Sequence, residues 1–450
     1  MAAIDAIFKA YDVRGTYPEE IDAELCRSIG AAFARFALDG DGPSDRILIG
    51  RDMRPSGVEL ASAFAEGAQA LGVEVIDLGL ASTDLVYFAS GKLDAPAAMF
   101  TASHNPAGYN GIKFCLAGAR PVGQDTGLER IKALAGTDLA PADLPAPMSS
   151  MDLLGAFATH VQSFIDRSVL RPLKVVADTA NGMGGLVVPA VFADLPFELE
   201  VLYGELDGTF PNHPADPIQP ANLRDLQAAV VDRGADLGLA FDGDADRVFL
   251  VDELGQPVSG STTTAMVAAA ILDKEPGATI LYNCICSKAV AEVVREHGGT
   301  PVRTKVGHSF IKAIMADTGA AFGGEHSAHY YFRRNYRADS GLIAAMHVLE
   351  MLSRADEALS QLRLPFDRYA ASGEINTTVD DQAAVIERVA DAFADARQDR
   401  LDGLTVDFGD WWFNLRPSNT EPLLRLNLEA PTPADVDAHV AEVEQLMTGT

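Results

Sequence analysis

Short apolar segments alternate with longer segments of helical periodicity along most of this chain, and this alternation constrains its fold most strongly. In the N-terminal part, the strand-like segment 46–52 (RILIGRD) is followed by a segment with helical spacing, 56–72. Two further strand-like segments follow, 73–79 (VEVIDLG) and 97–100 (AAMF). Such a β-α-β rhythm predicts parallel or mixed sheets with helices packed on their faces, an α/β fold class.

The length of 450 residues predicts three or four domains. Three units share the same order of strands and helices, and a linker rich in Pro, Ala, Asp and Ser is expected over 136–150. A last unit combines strands with a helix expected over 380–397 and a closing helix. We place the boundaries so that the expected domains cover residues 1–148, 149–253, 254–364 and 365–450.

The charge balance argues against a polyanionic partner. The chain has 64 acidic and 35 basic residues, a formal net charge of −29, whereas nucleic-acid binding needs a basic face. A small anionic substrate would therefore require a local basic pocket. The apolar stretches are too short to span a membrane, and the N-terminal segment does not resemble a signal peptide. Four cysteines without a CxxC pair favour reduced thiols and the cytoplasm.

The segment 241–248 (FDGDADRV) places Asp242, Asp244 and Asp246 at alternate positions between two apolar strands. Three converging carboxylates suit a hard cation such as Mg²⁺, which is bound by a few carboxylates and other oxygens. A calcium-binding EF-hand would need flanking helices and a distant Glu, and here a strand follows the loop. A solvated acidic turn is the alternative interpretation.

The segment 101–114 (TASHNPAGYNGIKF) follows a predicted strand and begins with Ser103 close to the strand end. A phosphorylated serine would carry about two negative charges and could complete a Mg²⁺ shell. His104 and Lys113 are close enough in sequence to balance charge or transfer protons. Taken alone, Ser103 would be interpreted as an ordinary loop or N-cap serine.

The segment 323–332 (GGEHSAHYYF) places Glu325, Ser327 and His329 at alternate positions. If the segment is extended, the three side chains project to one side. A carboxylate, a hydroxyl and an imidazole together suit the recognition of neighbouring sugar hydroxyls. A metal site or a structural role for the histidines is the alternative.

The segment 416–422 (RPSNTEP) combines an arginine with hydroxyl and amide side chains in a predicted turn. Backbone N–H groups of such a turn form an anion nest, and arginine binds phosphate through two parallel hydrogen bonds. A plain turn between strands is the alternative. Three further arginines, Arg14, Arg51 and Arg54, lie in short polar segments and are each interpreted individually as surface charges.

Together these four segments resemble the α-D-phosphohexomutase superfamily, and most closely its phosphomannomutase/phosphoglucomutase branch. The motifs TASHNP, DGDADR, GEHSAH and RPSNTEP occur in the order typical of the family and extend over nearly the whole chain. The resemblance implies four domains around a central cleft. Three would be similar αβα domains with mixed sheets, and the C-terminal domain would be an α+β domain like the TATA-box-binding protein.

The resemblance also implies roles for individual residues. Ser103 would be the phosphoserine and would bind Mg²⁺ together with Asp242, Asp244 and Asp246. The residues implied at the reacting centre, for proton transfer or charge stabilisation, are Arg14, His104, Lys113, Arg247 and His329. The residues implied in substrate binding are His308, Glu325, Ser327, Arg416, Ser418, Asn419 and Thr420, of which Glu325 and Ser327 would bind sugar O3 and O4.

The implied activity is that of a phosphohexomutase, which interconverts hexose 6-phosphate and hexose 1-phosphate through phospho-Ser103 and a hexose 1,6-bisphosphate. Overall likeness favours mannose, for nucleotide-sugar synthesis, and a phosphoglucomutase or dual-specificity mutase is the alternative. A metal-dependent sugar phosphatase and a non-catalytic sugar-phosphate sensor are further alternatives. The expected partners are small sugar phosphates, without nucleic acid or membrane, for a monomer or weak dimer.

Two positions depart from the pattern of the family. Many bacterial relatives have a lysine where this chain has Ile285, and Lys288 lies one helical turn further on. Ala328 occupies a position where glycine is common. Both departures concern substrate recognition and leave the implied reaction unchanged.

Overall fold

The computed structural model describes residues 2–40, 44–418 and 423–449, with the side chains of residues 2, 3, 308 and 309 outside that description. The chain divides into two compact units. The first comprises Met1–Ser259 and Ser327–Leu362, and the second comprises Gly260–His326 and Arg363–Thr450.

The first unit begins with a mixed sheet in the order β1-β5-β4-β2-β3-β7, with β6 paired to β5. Its strands are β1 (Val13–Thr16), β2 (Arg46–Arg51), β3 (Glu74–Leu80), β4 (Ala97–Phe100), β5 (Tyr109–Leu116), β6 (Arg120–Pro121) and β7 (Met148–Ser150). Its helices are α1 (Ala2–Ile7), α2 (Ala23–Asp39), α3 (Gly57–Ala70), α4 (Thr83–Leu93) and α5 (Leu128–Ala135), with 3₁₀ turns at Ala117–Ala119 and Gln124–Thr126.

Helices α2 and α3 pack closely together because glycines lie between them. A Cβ on Gly30 would lie 2.0 Å from the carbonyl oxygen of Phe64, and one on Gly67 would lie 2.0 Å from that of Arg27. The aromatic rings of Phe33 and Phe64 then join the buried core over the sheet. This core fixes the strands whose ends carry the functional loops.

The second sheet of the first unit has the order β12-β11-β10-β8-β9, in which β8 pairs in parallel with β9 and β10, and β11 is antiparallel. Its strands are β8 (Lys174–Asp178), β9 (Glu198–Leu202), β10 (Leu237–Phe241), β11 (Val248–Asp252) and β12 (Pro257–Val258). Its helices are α6 (Leu154–Gln162), α7 (Gly184–Phe192) and α8 (Arg224–Arg233), with 3₁₀ turns at Arg167–Val169 and Pro220–Leu223.

The second unit begins with strands that pair in parallel in the order β14-β13-β15. Its elements are α9 (Gly260–Lys274), β13 (Thr279–Asn283), α10 (Lys288–Glu296), β14 (Thr300–Thr304), α11 (His308–Thr318) and β15 (Phe322–Gly324). The chain then returns to the first unit through β16 (Tyr330–Phe332), a 3₁₀ turn at Arg333–Asn335, α12 (Gly341–Arg354) and α13 (Leu359–Leu362).

The last part of the chain, in the second unit, forms an antiparallel sheet in the order β17-β21-β20-β19-β18. Its strands are β17 (Ala370–Thr378), β18 (Arg397–Asp399), β19 (Leu404–Asp407), β20 (Trp412–Pro417) and β21 (Leu423–Ala430), and its helices are α14 (Gln382–Ala392) and α15 (Pro433–Thr448). Alternate strand residues such as Leu424, Leu426 and Leu428 are buried in the core against the helices.

The α/β fold class predicted from the sequence is confirmed, with local corrections. The expected linker over 136–150 ends in strand β7, which pairs with β3. The helix expected over 380–397 ends at Ala392, because Arg397–Asp399 pair with β19 instead. Among the described residues, no helix combines the length and apolar character needed to cross a membrane. All four cysteines are buried free thiols.

Candidate active site

Ser103 follows strand β4 in a turn whose backbone conformation is unusual for serine. Its φ of +49° lies in the left-handed region, which costs a residue with a Cβ about 1–2 kcal/mol. Its N–H donates to Thr101 Oγ1 over 2.8 Å, and its hydroxyl donates to Asp242 Oδ2 over 2.9 Å. The turn therefore holds the serine oxygen against the acidic loop.

The acidic loop is the tight connection between β10 and β11. These strands pair antiparallel, and the turn is closed by the Ala245 N–H donating to the Asp242 carbonyl over 3.1 Å. Asp242, Asp244 and Asp246 are buried, and one carboxylate oxygen of each lies within 4.8 Å of the others. Buried carboxylates this close together require cationic partners.

Lys113 is one of these cations. It lies on β5 opposite Met99 of β4, and its Nζ donates to Asp244 Oδ2 over 2.8 Å and to Asp246 Oδ2 over 2.7 Å. Burial opposes the charge of Lys113, but the two carboxylates outweigh it and raise its pKa. Burial also opposes the charge of Asp244 and by itself would raise the pKa of this carboxyl group. The charge of Lys113 outweighs burial, so the pKa of Asp244 is lowered.

The acidic loop also fits a divalent cation. Asp244 Oδ1 and Asp246 Oδ1 are buried and accept no hydrogen bond from any residue that the structure describes. Unpaired buried carboxylate oxygens are costly unless a cation satisfies them. A set of three carboxylates with a nearby serine oxygen has the all-oxygen chemistry that a hard divalent cation prefers.

Arg247 and His104 form a second group around Ser103. Arg247 Nε donates to Asp242 Oδ2 over 2.9 Å, and its Nη2 donates to His104 Nδ1 over 2.5 Å. A guanidinium has no acceptor, so His104 Nδ1 is the acceptor here and the imidazole is neutral. Burial, with the charges of Arg247 and Arg14, lowers the pKa of His104 to about 2. His104 therefore accepts a hydrogen bond at Nδ1 and does not carry a positive charge.

Arg14, on β1, is only partly exposed, unlike the surface charge expected from the sequence. Its Nη1 donates to Asn105 Oδ1 over 2.6 Å and its Nη2 donates to Asp12 Oδ2 over 2.5 Å. The register of β1 against β5 places Arg14 opposite Gly111. These contacts attach the guanidinium to the Ser103 loop.

His329 also belongs to this cluster. Its Nδ1 lies 2.9 Å from Asp339 Oδ2 and 3.9 Å from Asp246 Oδ1. Burial lowers the pKa of His329, but the hydrogen bond to Asp339 and the charge of Asp246 outweigh it, so the net pKa is raised. Since a carboxylate only accepts, Nδ1 carries the proton that it shares with Asp339.

The segment 325–329 is not extended, so the condition under which Glu325, Ser327 and His329 would project to one side is not met. Residues 326–328 form a turn, and Ala328 has a φ of +65°, which removes the strict alternation of side chains. This left-handed conformation is the physical reason that glycine suits the position. The two compact units also divide here, so that Glu325 belongs to the second unit and Ser327 to the first.

Glu325 is buried in the second unit at the end of β15. Its Oε1 accepts from Asn283 Nδ2 over 3.2 Å and from the Gly307 N–H over 3.1 Å. His308 follows as the first residue of α11, but its side chain lies outside the described part of the chain.

Arg416 lies near the end of β20 in the second unit. Its Nη2 donates to Glu374 Oε2 over 2.9 Å, and Arg425 Nη1 lies 3.6 Å from Glu374 Oε1. Arg416 Nε and Arg425 Nε are buried and have no partner among the described residues. The Ser418 N–H donates to the Leu423 carbonyl over 2.9 Å. Two arginines converge here, while Asn419 and Thr420 lie outside the described residues.

Ile285 is buried and Lys288 is bound locally. The Nζ of Lys288 donates to the Gly409 carbonyl and lies 4.5 Å from the centre of the Tyr369 ring. The ammonium is therefore engaged by residues of the second unit itself.

Sequence reasoning missed one contact to the acidic loop, made by the N-terminus of α4. Thr83 Oγ1 donates to Asp244 Oδ2 over 2.5 Å, and its N–H donates to the Asp244 carbonyl over 3.1 Å. The two residues are separated by 161 positions along the chain, so local sequence patterns do not predict the contact. The close approach of Gly243 to Ser103, where a Cβ would lie 2.4 Å from the Ser103 carbonyl oxygen, was missed for the same reason.

Comparisons with known proteins agree with this arrangement. Models of the phosphoglucomutase/phosphomannomutase family match four parts of the chain: α/β/α domain I at residues 5–139, domain II at 155–255, domain III at 259–369 and the C-terminal domain at 374–446.

Individual relatives match over nearly the full length. The chain is 42% identical over 448 residues to phosphohexose mutases of Xanthomonas campestris pv. campestris, covering 98% of this chain and 99% of the relative. It is 40% identical over 453 residues to a phosphomannomutase of Escherichia coli K12, covering 98% of each. A solved phosphoglucomutase/phosphomannomutase family protein of Burkholderia thailandensis matches with a TM-score of 0.89 and 32% identity over 98% of each chain.

These matches make the chain an enzyme that acts as a phosphomutase, with sugar phosphates as its substrate class. The four matching domains, the full-length relatives and the acidic loop beside Ser103 agree in this. The chain belongs to the phosphoglucomutase/phosphomannomutase family of the α-D-phosphohexomutase superfamily.

Proposed function

We propose that this chain interconverts mannose 6-phosphate and mannose 1-phosphate by passing a phosphoryl group through Ser103, with a hexose 1,6-bisphosphate as intermediate and activator. The observation that carries the proposal is the distance of 2.9 Å between Ser103 Oγ and Asp242 Oδ2 in a buried cluster of three carboxylates. A hydroxyl in that position suits phosphorylation, because the cations that offset the carboxylates would also stabilise a phosphate. The relatives named phosphomannomutase favour mannose.

We propose that the divalent cation is Mg²⁺, held by Asp242, Asp244, Asp246 and an oxygen of phospho-Ser103. When bound, it would supply positive charge that stabilises the equatorial oxygens of the transferring phosphoryl group. Asp244 Oδ1 and Asp246 Oδ1, which accept no hydrogen bond from the described residues, support this assignment.

The residues around Ser103 have separate proposed roles. Arg247 holds Asp242 through Nε and would stabilise charge on the phosphoryl oxygens. Lys113 neutralises Asp244 and Asp246. His329, oriented by Asp339, is the proposed group for proton transfer, because His104 accepts a hydrogen bond from Arg247 and is held neutral.

The residues assigned to substrate binding are those of the recognition and phosphate loops. Glu325 and Ser327 would bind the sugar O3 and O4 atoms. Arg14 would add charge at the reacting centre. The phosphate group that is not being transferred is assigned to Arg416, Ser418, Asn419 and Thr420, and His308 is assigned to substrate binding without a particular group. Arg416 at the start of this loop and Arg425 on the adjacent strand β21 share one carboxylate, Glu374, and this supports an excess of positive charge beside the loop.

The reaction consists of two opposite transfers. In the first, a sugar hydroxyl oxygen attacks phosphorus, the bond from phosphorus to Ser103 Oγ breaks, the hydroxyl proton passes to a base, and the released Ser103 Oγ takes up a proton. The bisphosphate then reverses its orientation. In the second, Ser103 Oγ attacks the other phosphate and gives its proton to a base, the bond from phosphorus to the sugar oxygen breaks, and the released sugar oxygen takes up a proton. The serine ends phosphorylated, as it began, so no external phosphate is consumed.

Ser103→Ala tests the mechanism. Mutase turnover is expected to fall by several orders of magnitude while the variant remains folded. Normal turnover in that variant would overturn the mechanism. Phosphate release into water that survives in the variant would instead indicate a sugar phosphatase that uses an aspartate as its nucleophile.

Mutase rates with different sugar phosphates identify the preferred substrate. The rates are measured with mannose 1-phosphate, glucose 1-phosphate and glucosamine 1-phosphate, each with its bisphosphate. A preference for mannose is expected. Equal use of glucose would favour a dual-specificity mutase, in keeping with the Xanthomonas relatives named phosphohexose mutases.

Chelation followed by return of Mg²⁺, Mn²⁺ or Ca²⁺ tests the identity of the metal. Mg²⁺ is expected to restore the highest rate.

The proposed place of action is the cytoplasm. The four cysteines are buried and free, which fits a reducing compartment.

A further inference from the structure

Arg54 lies in the connection between β2 and α3, and its side chain is buried inside the first unit. It is only 1% exposed, so the expectation of a surface charge is wrong. Arginine is very rarely buried to this extent unless all its donors are paired. The partners of its guanidinium therefore show what the residue does.

The two terminal nitrogens of Arg54 bind the backbone of the Ser103 loop. Nη2 donates to the carbonyl oxygens of Ser103 over 3.0 Å and Asn105 over 2.6 Å. Nη1 donates to those of Pro106 over 2.8 Å and Tyr109 over 3.0 Å. Four carbonyl oxygens from seven consecutive residues thus converge on one guanidinium.

The guanidinium itself is fixed from the opposite side. Its Nε donates to Asp52 Oδ2 over 3.2 Å, and the Arg54 N–H donates to Asp52 Oδ1 over 2.9 Å. The Asp52 N–H donates to the Phe100 carbonyl at the end of β4 over 2.9 Å. The ring of Phe210 lies 5.1 Å from the guanidinium carbon. Arg54 is therefore held relative to the strand from which the Ser103 loop emerges.

This arrangement offsets two unfavourable features of the loop. Ser103 has a left-handed backbone, and carbonyl dipoles that converge in a buried space repel one another. The Ser103 carbonyl that Arg54 binds is also the one that Gly243 of the acidic loop approaches. A shift of this carbonyl would move Ser103 Oγ away from Asp242.

We propose that Arg54 is a positioning residue for Ser103, the residue that carries the phosphoryl group. Its guanidinium binds four carbonyl oxygens within residues 103–109 and thereby holds Ser103 Oγ at hydrogen-bonding distance from Asp242 of the acidic loop. Only a planar fork with five donors can bind four carbonyls and a carboxylate together. An ammonium keeps the charge beside Asp52 but has three donors at one point. This inference rests on the proposed role of Ser103 and adds a residue to it.

The test compares Arg54→Lys with the full-length wild-type enzyme, with Arg27→Lys as the control. Arg27 binds Glu66 through Nε and Nη2 at the protein surface, so the control makes the same chemical change at an exposed site. In Arg54→Lys, kcat is expected to fall about 100-fold, the size of effect expected when a reacting group is displaced by about 1 Å. KM is expected to change little, because the substrate contacts are elsewhere.

Two further measurements separate positioning from a general loss of structure. The rate at which glucose 1,6-bisphosphate phosphorylates Ser103, followed by intact mass, is expected to fall with kcat at a temperature where the variant is fully folded. Hydrogen exchange is expected to accelerate for amides of residues 101–109 and to stay unchanged in the second unit. A folded variant with wild-type kcat overturns the proposal, and so does one with unchanged exchange in this loop.

Hydrogen exchange also separates failure of this inference from failure of the proposed function, because it does not depend on turnover. If Arg54→Lys does not fold, Asp52→Asn keeps the guanidinium and replaces its carboxylate anchor by an amide. That variant is expected to lose part of kcat with little change in KM. Wild-type kcat and wild-type exchange in folded Asp52→Asn would overturn the proposal.

Discussion

At the scale of single residues, the site depends on how closely two loops approach. A Cβ on Gly243 would lie 2.4 Å from the carbonyl oxygen of Ser103, a separation that a carbon and an oxygen cannot adopt. The glycine is needed for this approach, although its own conformation is not left-handed. The serine oxygen can reach the carboxylates because one position in the acidic loop has no side chain.

Gly243→Ala is expected to lower kcat about 100-fold, because the added methyl group pushes the acidic loop away from Ser103. Steady-state kinetics with saturating metal check this result. Gly155→Ala is the control, since a Cβ there meets no atom within 4 Å and alanine stabilises a helix such as α6. The control is expected to keep wild-type kcat. Wild-type kcat in Gly243→Ala would show that the two loops do not need this close approach.

At the scale of secondary-structure elements, two helix N-termini meet at one buried carboxyl group. Ser82 is the N-cap of α4 and Ser340 is the N-cap of α12. Their hydroxyls donate to Asp84 over 2.5 Å and 2.7 Å. The neighbouring Thr83 binds Asp244, so the carboxyl group of Asp84 helps to set where α4 meets the acidic loop.

Asp84 predicts a pH dependence of stability. Burial raises the pKa of Asp84 to about 7 in the folded protein, whereas an unfolded Asp titrates near 3.9. The folded state thus binds the extra proton, and its stability falls as pH rises from about 4 to 7. Asn does not titrate, so Asp84→Asn does not lose this stability as pH rises. The melting temperature of Asp84→Asn minus that of the wild type is therefore expected to increase between pH 5 and pH 8. A difference that is constant across this range would contradict the prediction.

At the scale of the whole molecule, a chain with a net charge of −29 must still bind anionic substrates. The first unit contains Ser103 and the carboxylates, whose charge is offset by Lys113 and Arg247. The second unit contains Arg416 and Arg425, which share the carboxylate of Glu374. Positive charge is therefore concentrated at particular loops within an acidic protein.

Arg416→Gln is expected to raise KM for the hexose phosphate about 10–100-fold, the loss typical of a hydrogen bond to a charged group. The melting temperature of the protein is expected to change little, because the Arg416 ion pair is partly exposed. Arg400→Gln is the control, since Arg400 pairs with Glu387 on the surface. An unchanged KM in Arg416→Gln would show that this arginine does not bind the substrate.

The class of fold and the type of chemistry could be predicted from the sequence alone. Apolar periodicity is a local property, so strands such as β2 and helices such as α12 could be predicted from it. The acidic loop could also be predicted, because its carboxylates are close together in the chain and lie between two apolar strands. The four motifs identified the family for the same reason, since each is a short continuous segment.

Which of these groups meet could not be predicted from the sequence, because it depends on how the chain folds. Arg54 had the appearance of a surface charge, and its burial depends on carbonyl oxygens about 50 positions away. The contact of Thr83 with Asp244 and the space beside Gly243 depend on how two sheets pack in the first unit. The neutral state of His104 follows from Arg247, 143 positions further along the chain. Hydrogen bonds and burial act over a few ångströms of space, and distance along the chain carries no information about them until the chain has folded.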